Sequence, residues 1–159
     1  MKYIKNSFYI ENVQVDKLVK KFETPIYCYS KKVLNNNIKK FKKNFKTFSP
    51  LICFATKANS NLQILKEIKK NGLGADVVSK GEMMIALKAG ISPSKIVFSG
   101  VGKTKSELAY AIEKKILLIN AESRSEIFEL EKIAKSKRKI VDIGIRLNPN
   151  TDAKTLKQI

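Results

Sequence analysis

The chain has 159 residues, is 43% hydrophobic, carries a formal net charge of +18 at pH 7 and contains no histidine. The lack of histidine excludes Ser-His hydrolysis, a histidine general base and a histidine-based metal site within this chain, and no apolar run approaches the ~20 residues of a membrane span. Three arginines stand among 32 basic residues, the lysines are spread over every predicted helix, and the aromatics keep apolar-face spacing, so the charge reads as solvated surface and no nucleic-acid partner is expected.

Met1-Lys-Tyr-Ile-Lys-Asn has no continuous apolar core or small-residue cleavage site, so no export signal is predicted. Cys28 and Cys53 lie in apolar runs without CxxC spacing and read as buried free thiols, which fits a reducing cytoplasm. Residues 1–24 hold the aromatic segment Phe8-Tyr9-Ile10, then Val15, Leu18, Val19 and Phe22 at helical spacing. Glu23-Thr24-Pro25 ends that helix, and Ile26 to Tyr29 is predicted to start a strand. Ser30 can cap the next helix, whose apolar positions Leu34, Ile38, Phe41, Phe45 and Phe48 form one face, read as core packing. Ser49-Pro50 closes it.

Leu51 to Thr56 is an apolar run that reads as a strand buried on both faces, as in a parallel sheet covered by helices. From there the chain repeats strand and helix. A helix through Leu62, Leu65 and Ile68 stops at Asn71-Gly72, and Ala75 to Val78 is a strand. Ser79-x-x-Glu82, Thr104-x-x-Glu107 and Ser123-x-x-Glu126 are three capping boxes that start the next three helices. Strands are predicted at Ile96 to Phe98, Ile116 to Ile119 and Ile140 to Leu147. Right-handed crossovers would make all five strands parallel. The fold class is therefore α/β, the first five strands of an incomplete (β/α)8 barrel, since a whole barrel takes about 250 residues. An open doubly wound sheet is the alternative that periodicity leaves standing.

Lys57 ends the first of these strands, and in parallel α/β folds the carboxyl ends of strands build the active site. Its bland reading is a solvated lysine at a strand exit. Its chemical reading is an amine that attacks an aldehyde to form an imine, which requires the neutral form and hence a lowered pKa. Asp76 or Ser79, Ser99, Asn120 and Arg146 are expected around the same rim. Asp76 and Glu82 read on their own as a hydrogen-bonded strand-end carboxylate and a helix cap, and Arg146 equally as a carboxylate-paired arginine. Gly100-Val-Gly102 is only a weak phosphate-loop signal, without the full glycine fingerprint.

Ala55-Thr-Lys57-Ala-Asn-Ser-Asn61, Gly74-Ala-Asp-Val-Val-Ser79-Lys-Gly-Glu82 and Gly144-Ile-Arg-Leu-Asn-Pro-Asn-Thr-Asp-Ala-Lys-Thr155 occur in this order. Together they resemble the pyridoxal-phosphate-dependent diaminopimelate decarboxylases from about Thr24 onward. The resemblance implies pyridoxal 5'-phosphate as cofactor, Lys57 as the imine lysine, and Arg146 and Asp76 as cofactor-binding residues. It implies conversion of meso-2,6-diaminopimelate to L-lysine and carbon dioxide, a homodimer, a cytoplasmic enzyme and no membrane partner. Residues 1–24 would pack on a carboxyl-terminal β domain, and residues 25–159 would form part of the barrel. The family's ring-facing histidine, glycine-rich phosphate stretch and nitrogen-pairing acid are not expected within this chain, and Leu156 stands where a histidine is usual. The isolated chain is accordingly expected to be inactive. Other readings are a non-catalytic pyridoxal homeostasis protein, another pyridoxal-dependent amino-acid decarboxylase and, from a different class, a basic interaction module.

Overall fold

The structure, a computed structural model, describes residues 1–149. The chain divides into two compact units, Met1–Pro50 and Leu51–Ile159.

In the first unit β1 (Lys2–Ile4), β2 (Ser7–Ile10) and β3 (Val13–Gln14) form an antiparallel sheet in sequence order. Ile4 pairs with Ser7, so Lys5 and Asn6 make a two-residue hairpin loop with φ of 44° and 64°. Positive φ at both loop positions matches the twist of the flanking strands. Tyr3 and Phe8 lie opposite one another with ring centroids 4.9 Å apart. α1 (Val15–Phe22) follows. The segment Ile26 to Tyr29 is not a strand: it carries no regular secondary structure and no ladder partner among the described residues, and Tyr27 and Tyr29 are exposed.

α2 (Lys31–Asn44) begins as predicted, with Ser30 Oγ accepting the Val33 amide at 3.1 Å. Glu11 ties the hairpin to this helix start: its Oε1 accepts the Lys32 amide at 2.8 Å and the Ser30 hydroxyl at 2.7 Å. Those two bonds, the amide first, hold the Glu11 carboxyl below its ordinary range. The expectation of a packed aromatic face is corrected here. Of that face only Ile38 is buried, the helix stops four residues before Phe48, and Phe41, Phe45 and Phe48 are exposed.

The second unit is a five-stranded parallel sheet in the order β4 (Cys53–Ala55), β5 (Gly74–Val77), β6 (Ile96–Phe98), β7 (Leu118–Ala121) and β8 (Ile143–Ile145). Helices α3 (Leu62–Lys70), α4 (Lys80–Lys88), α5 (Lys105–Lys114) and α6 (Arg124–Ser136) form the crossovers. Alternation along the strands sends Ala75, Val77, Ile96, Phe98, Ile119 and Ala121 to one face, and all are essentially inaccessible. Their partners in the core are Leu65 and Ile68, Met83 and Ala86, Leu108, Ala111 and Ile112, and Leu130, contributed by the four helices in turn. Burying Phe98 alone removes enough apolar surface for about 1.5–3 kcal/mol.

Strand order that follows sequence order, with one face buried under the helices, is singly wound barrel geometry and displaces the doubly wound alternative. β4 is only half-buried, contrary to expectation, because it is an edge strand that pairs with β5 alone.

Helix ends follow the local chemistry. Gly72 (φ 78°) and Gly90 (φ 87°) close α3 and α4, as their positions predict. α5 and α6 end on Lys115 (φ 54°) and Arg138 (φ 51°), residues that carry no sequence signal for that geometry. The turn at Lys115 delays β7 by two residues relative to the predicted strand. β8 is likewise shorter than the apolar run Ile140 to Leu147, with Ile140 almost fully exposed.

Candidate active site

The face of the sheet away from the helices carries the polar side chains. Register places Ala55 beside Asp76, Asp76 beside Val97, Val97 beside Leu118, and Asn120 beside Gly144. Stepping two residues along a strand keeps the face, so Asp76, Ser99 and Asn120 share it near the carboxyl ends. Asn120 Nδ2 donates to Ser99 Oγ at 3.0 Å, and Ser99 Oγ donates to Asp76 Oδ1 at 2.6 Å. Gly144 leaves room for this row, because a Cβ there would overlap Asn120 Oδ1. Cys53 lies on the same face, and burial first, then the negative charge of Asp76, pushes its thiol above the usual 9.0.

Lys57 sits just beyond β4, in a single 3-10 turn, Thr56–Ala58, closed by the Asn59 amide donating to the Thr56 carbonyl at 3.0 Å. Its side chain is exposed, with no hydrogen bond or ion pair to its amine among the described residues. The residue before it is the opposite: Thr56 is wholly inaccessible, and its hydroxyl lies against the Asp76 carbonyl oxygen at 2.9 Å and against Glu82 Oε2.

Arg146 follows β8, where its amide donates to the Ala121 carbonyl at 3.0 Å. Its Nη1 is 3.4 Å from Glu122 Oε2, the carboxylate pairing that sequence left open. Glu122 is almost buried, and its Oε1 also accepts the Gly100 amide at 2.9 Å. Lys57 and Arg146 therefore share a rim but not a neighbourhood. Their strands are the two edges of the sheet, four strand spacings of about 4.8 Å, or about 19 Å, apart along its surface.

Five rim amides, those of Val78, Lys80, Gly100, Thr104 and Glu122, are occupied by carboxylates. Glu107 completes a true capping box with Thr104, its Oε2 accepting the Thr104 amide at 3.0 Å while its Oε1 accepts the Lys80 amide at 3.1 Å. These amide bonds, Thr104 first, lower its pKa from 4.5. Ser79 and Ser123 cap α4 and α6 as predicted, but Glu82 and Glu126 reach one residue further back, to the amides of Val78 and Glu122, both at 2.9 Å. In the Gly100-Val-Gly102 loop the first amide, that of Gly100, is taken by Glu122 Oε1.

Sequence reasoning passed over Lys103. Its side chain is 1% exposed, and its three ammonium protons are directed at the carbonyl oxygens of Gly100 (2.7 Å) and Asn120 (2.7 Å) and at Glu126 Oε1 (2.8 Å). The only sequence signal was a lysine immediately before the Thr104 cap. Residues 150–155 of the Asn148 to Thr155 motif, and Leu156, lie outside the described residues.

Parallel strands wound in sequence order, with an exposed lysine and a hydrogen-bonded polar row at their carboxyl ends, define a barrel-type α/β domain, a class that builds its active sites on that rim. The chain belongs to the family described as pyridoxal-dependent decarboxylase, pyridoxal binding domain, whose model matches residues 31–159. It is 42% identical over 155 residues to a diaminopimelate decarboxylase of Aquifex aeolicus, covering 98% of this chain and 36% of that protein. A diaminopimelate decarboxylase of Helicobacter pylori is 47% identical over 140 residues, covering 88% and 35%. The crystal structure of diaminopimelate decarboxylase from Helicobacter pylori complexed with L-lysine superposes with a TM-score of 0.87 at 45% identity, over 91% of this chain and 37% of that one. The chain thus spans about a third of the length of the relatives it matches.

Proposed function

We propose that the protein bearing this chain is a diaminopimelate decarboxylase of lysine biosynthesis, releasing carbon dioxide from meso-2,6-diaminopimelate to give L-lysine, with Lys57 as the residue that holds pyridoxal 5'-phosphate. The observation that carries this is the free amine of Lys57 at the carboxyl end of β4, within a matched pyridoxal-binding domain. The diaminopimelate decarboxylases it resembles, and a related structure complexed with L-lysine, support the substrate class.

The residues present fit the aldehyde end of the cofactor. A primary amine without a competing partner among the described residues stands on a turn anchored by buried Thr56, as covalent attachment of an aldehyde requires. At the helix starts of α4, α5 and α6 carboxylates and hydroxyls fill the place a phosphate cradle would take. When bound, the cofactor supplies an electron sink for the pair left behind as carbon dioxide departs.

Around that group the chain's residues hold and orient. Lys57 would hold the cofactor through its aldehyde carbon, while Asp76 presents a carboxylate fixed by Ser99 and Asn120, and Arg146 offers a half-exposed guanidinium braced by Glu122. In this reading residues 1–24 belong with a second, β-rich domain, residues 25–159 belong to the barrel, and the whole protein works as a cytoplasmic homodimer. The test is release of carbon dioxide and L-lysine from meso-diaminopimelate by the purified whole protein bearing this chain, with added cofactor, abolished in Lys57→Ala. No release, or release that survives the substitution, overturns the reading.

A further inference from the structure

We propose that Glu82 and Thr56 are positioning residues that fix the turn presenting Lys57; this rests on the reading of Lys57 as the cofactor lysine. Glu82 occupies the third position of α4, where a capping-box glutamate would bond the cap residue's own amide, as Glu107 does with Thr104. Glu82 does not. Its Oε2 accepts the Val78 amide at 2.9 Å and contacts the Thr56 hydroxyl across 26 residues of sequence.

The Thr56 hydroxyl has one proton and two acceptors, the Glu82 carboxylate and the Asp76 carbonyl oxygen at 2.9 Å. It is thereby gripped by α4 and by β5 at once. The Thr56 carbonyl accepts the Asn59 amide, so the same residue holds β5 and α4 through its side chain and closes the lysine turn through its backbone. Thr56 is wholly inaccessible, and polar groups are kept at such sites when every partner is in place. Lys57, immediately after it, has no side-chain partner among the described residues. Its amine is aimed by the backbone alone, and the backbone there is set by Thr56. Misplacing a reacting group by about 1 Å costs on the order of a hundredfold in rate.

The experiment compares Thr56→Val, which keeps the shape and removes the hydroxyl, with Thr56→Ser, which keeps the hydroxyl, and with Glu82→Gln, all in the whole protein. Three quantities are read: the rate at which borohydride traps pyridoxal phosphate on the Lys57 peptide, the split between kcat and KM, and the thermal midpoint. Thr56→Val is expected to slow trapping and kcat by about tenfold to a hundredfold while KM moves by less than about threefold. Thr56→Ser is expected to restore both rates, and Glu82→Gln to fall between. Wild-type trapping in Thr56→Val, or losses that follow the thermal midpoint and are not rescued by serine, overturns the positioning role. If Thr56→Val does not fold, Glu82→Gln decides by the same rates. Trapping on a peptide other than that of Lys57 in the wild type overturns the underlying assignment instead, so the two failures are distinguishable.

Discussion

Replacing Lys103 with methionine is expected to be among the most damaging single changes at the rim. Methionine keeps most of the stem beside the Phe98 ring, whose centroid lies 5.5 Å from the Lys103 ammonium, so the substitution mainly removes charge and donors. What remains is Glu126 Oε1 without its cation at a position 9% exposed, and the carbonyls of Gly100 and Asn120 without their donor. Both ionic side chains are almost inaccessible, so solvent screening offers no large discount, and stranding one partner of a buried pair costs about 3–5 kcal/mol. Against a typical total of about 5–15 kcal/mol, that places the variant near the edge of folding. Urea unfolding of wild type, K103M, E126Q and the double variant measures it. The double variant should be less destabilised than the sum of the single ones, with a coupling of about 1–3 kcal/mol, because the stranded charge is gone. A K103M chain within about 0.5 kcal/mol of wild type, or strict additivity, would refute the reasoning.

Gly74→Ala should destabilise the second unit by about 1–3 kcal/mol or more, since its Cβ would overlap the Lys95 carbonyl oxygen and lie 2.9 Å from Cys53 Sγ; a neutral unfolding midpoint would contradict this. Glu107 titrates below its usual 4.5 in the fold, so its contribution is complete above that value and is lost as pH falls through the lowered one. Glu107→Gln should therefore cost about 1 kcal/mol near neutrality and progressively less in acid, read as converging unfolding curves. Cys53 should be alkylated more slowly in the native chain than in urea, because burial and then Asp76 disfavour its thiolate, and Asp76→Asn should speed the native reaction. An unchanged rate in that variant would contradict the second cause.

The second unit was legible because its punctuation is local. Ser79, Thr104 and Ser123 announce helix starts through their own hydroxyls, and Gly72 and Gly90 announce two ends. What escaped depends on tertiary partners or on backbone angles without a residue signature. The hairpin at Lys5-Asn6 has no glycine, and Lys115 and Arg138 end helices in a conformation lysine and arginine rarely adopt. The aromatic face of α2 has the periodicity of a packed helix, but periodicity does not say whether anything covers it; Phe48 is 79% exposed. At the rim, the motif placed Glu82 and Glu126 in capping boxes, whereas the structure sends their carboxylates one residue further back and across to Thr56 and Lys103. Lys103 could not be singled out from spacing, since its three acceptors come from a loop, a strand end and a helix start.

The central claim is that Lys57 is where the cofactor is held, and peptide mapping after borohydride reduction of the cofactor-loaded protein tests it most directly. The account predicts a single pyridoxyl mass increment on the peptide containing Lys57, absent in Lys57→Ala. An increment on any other lysine, or one that persists in that variant, would contradict it.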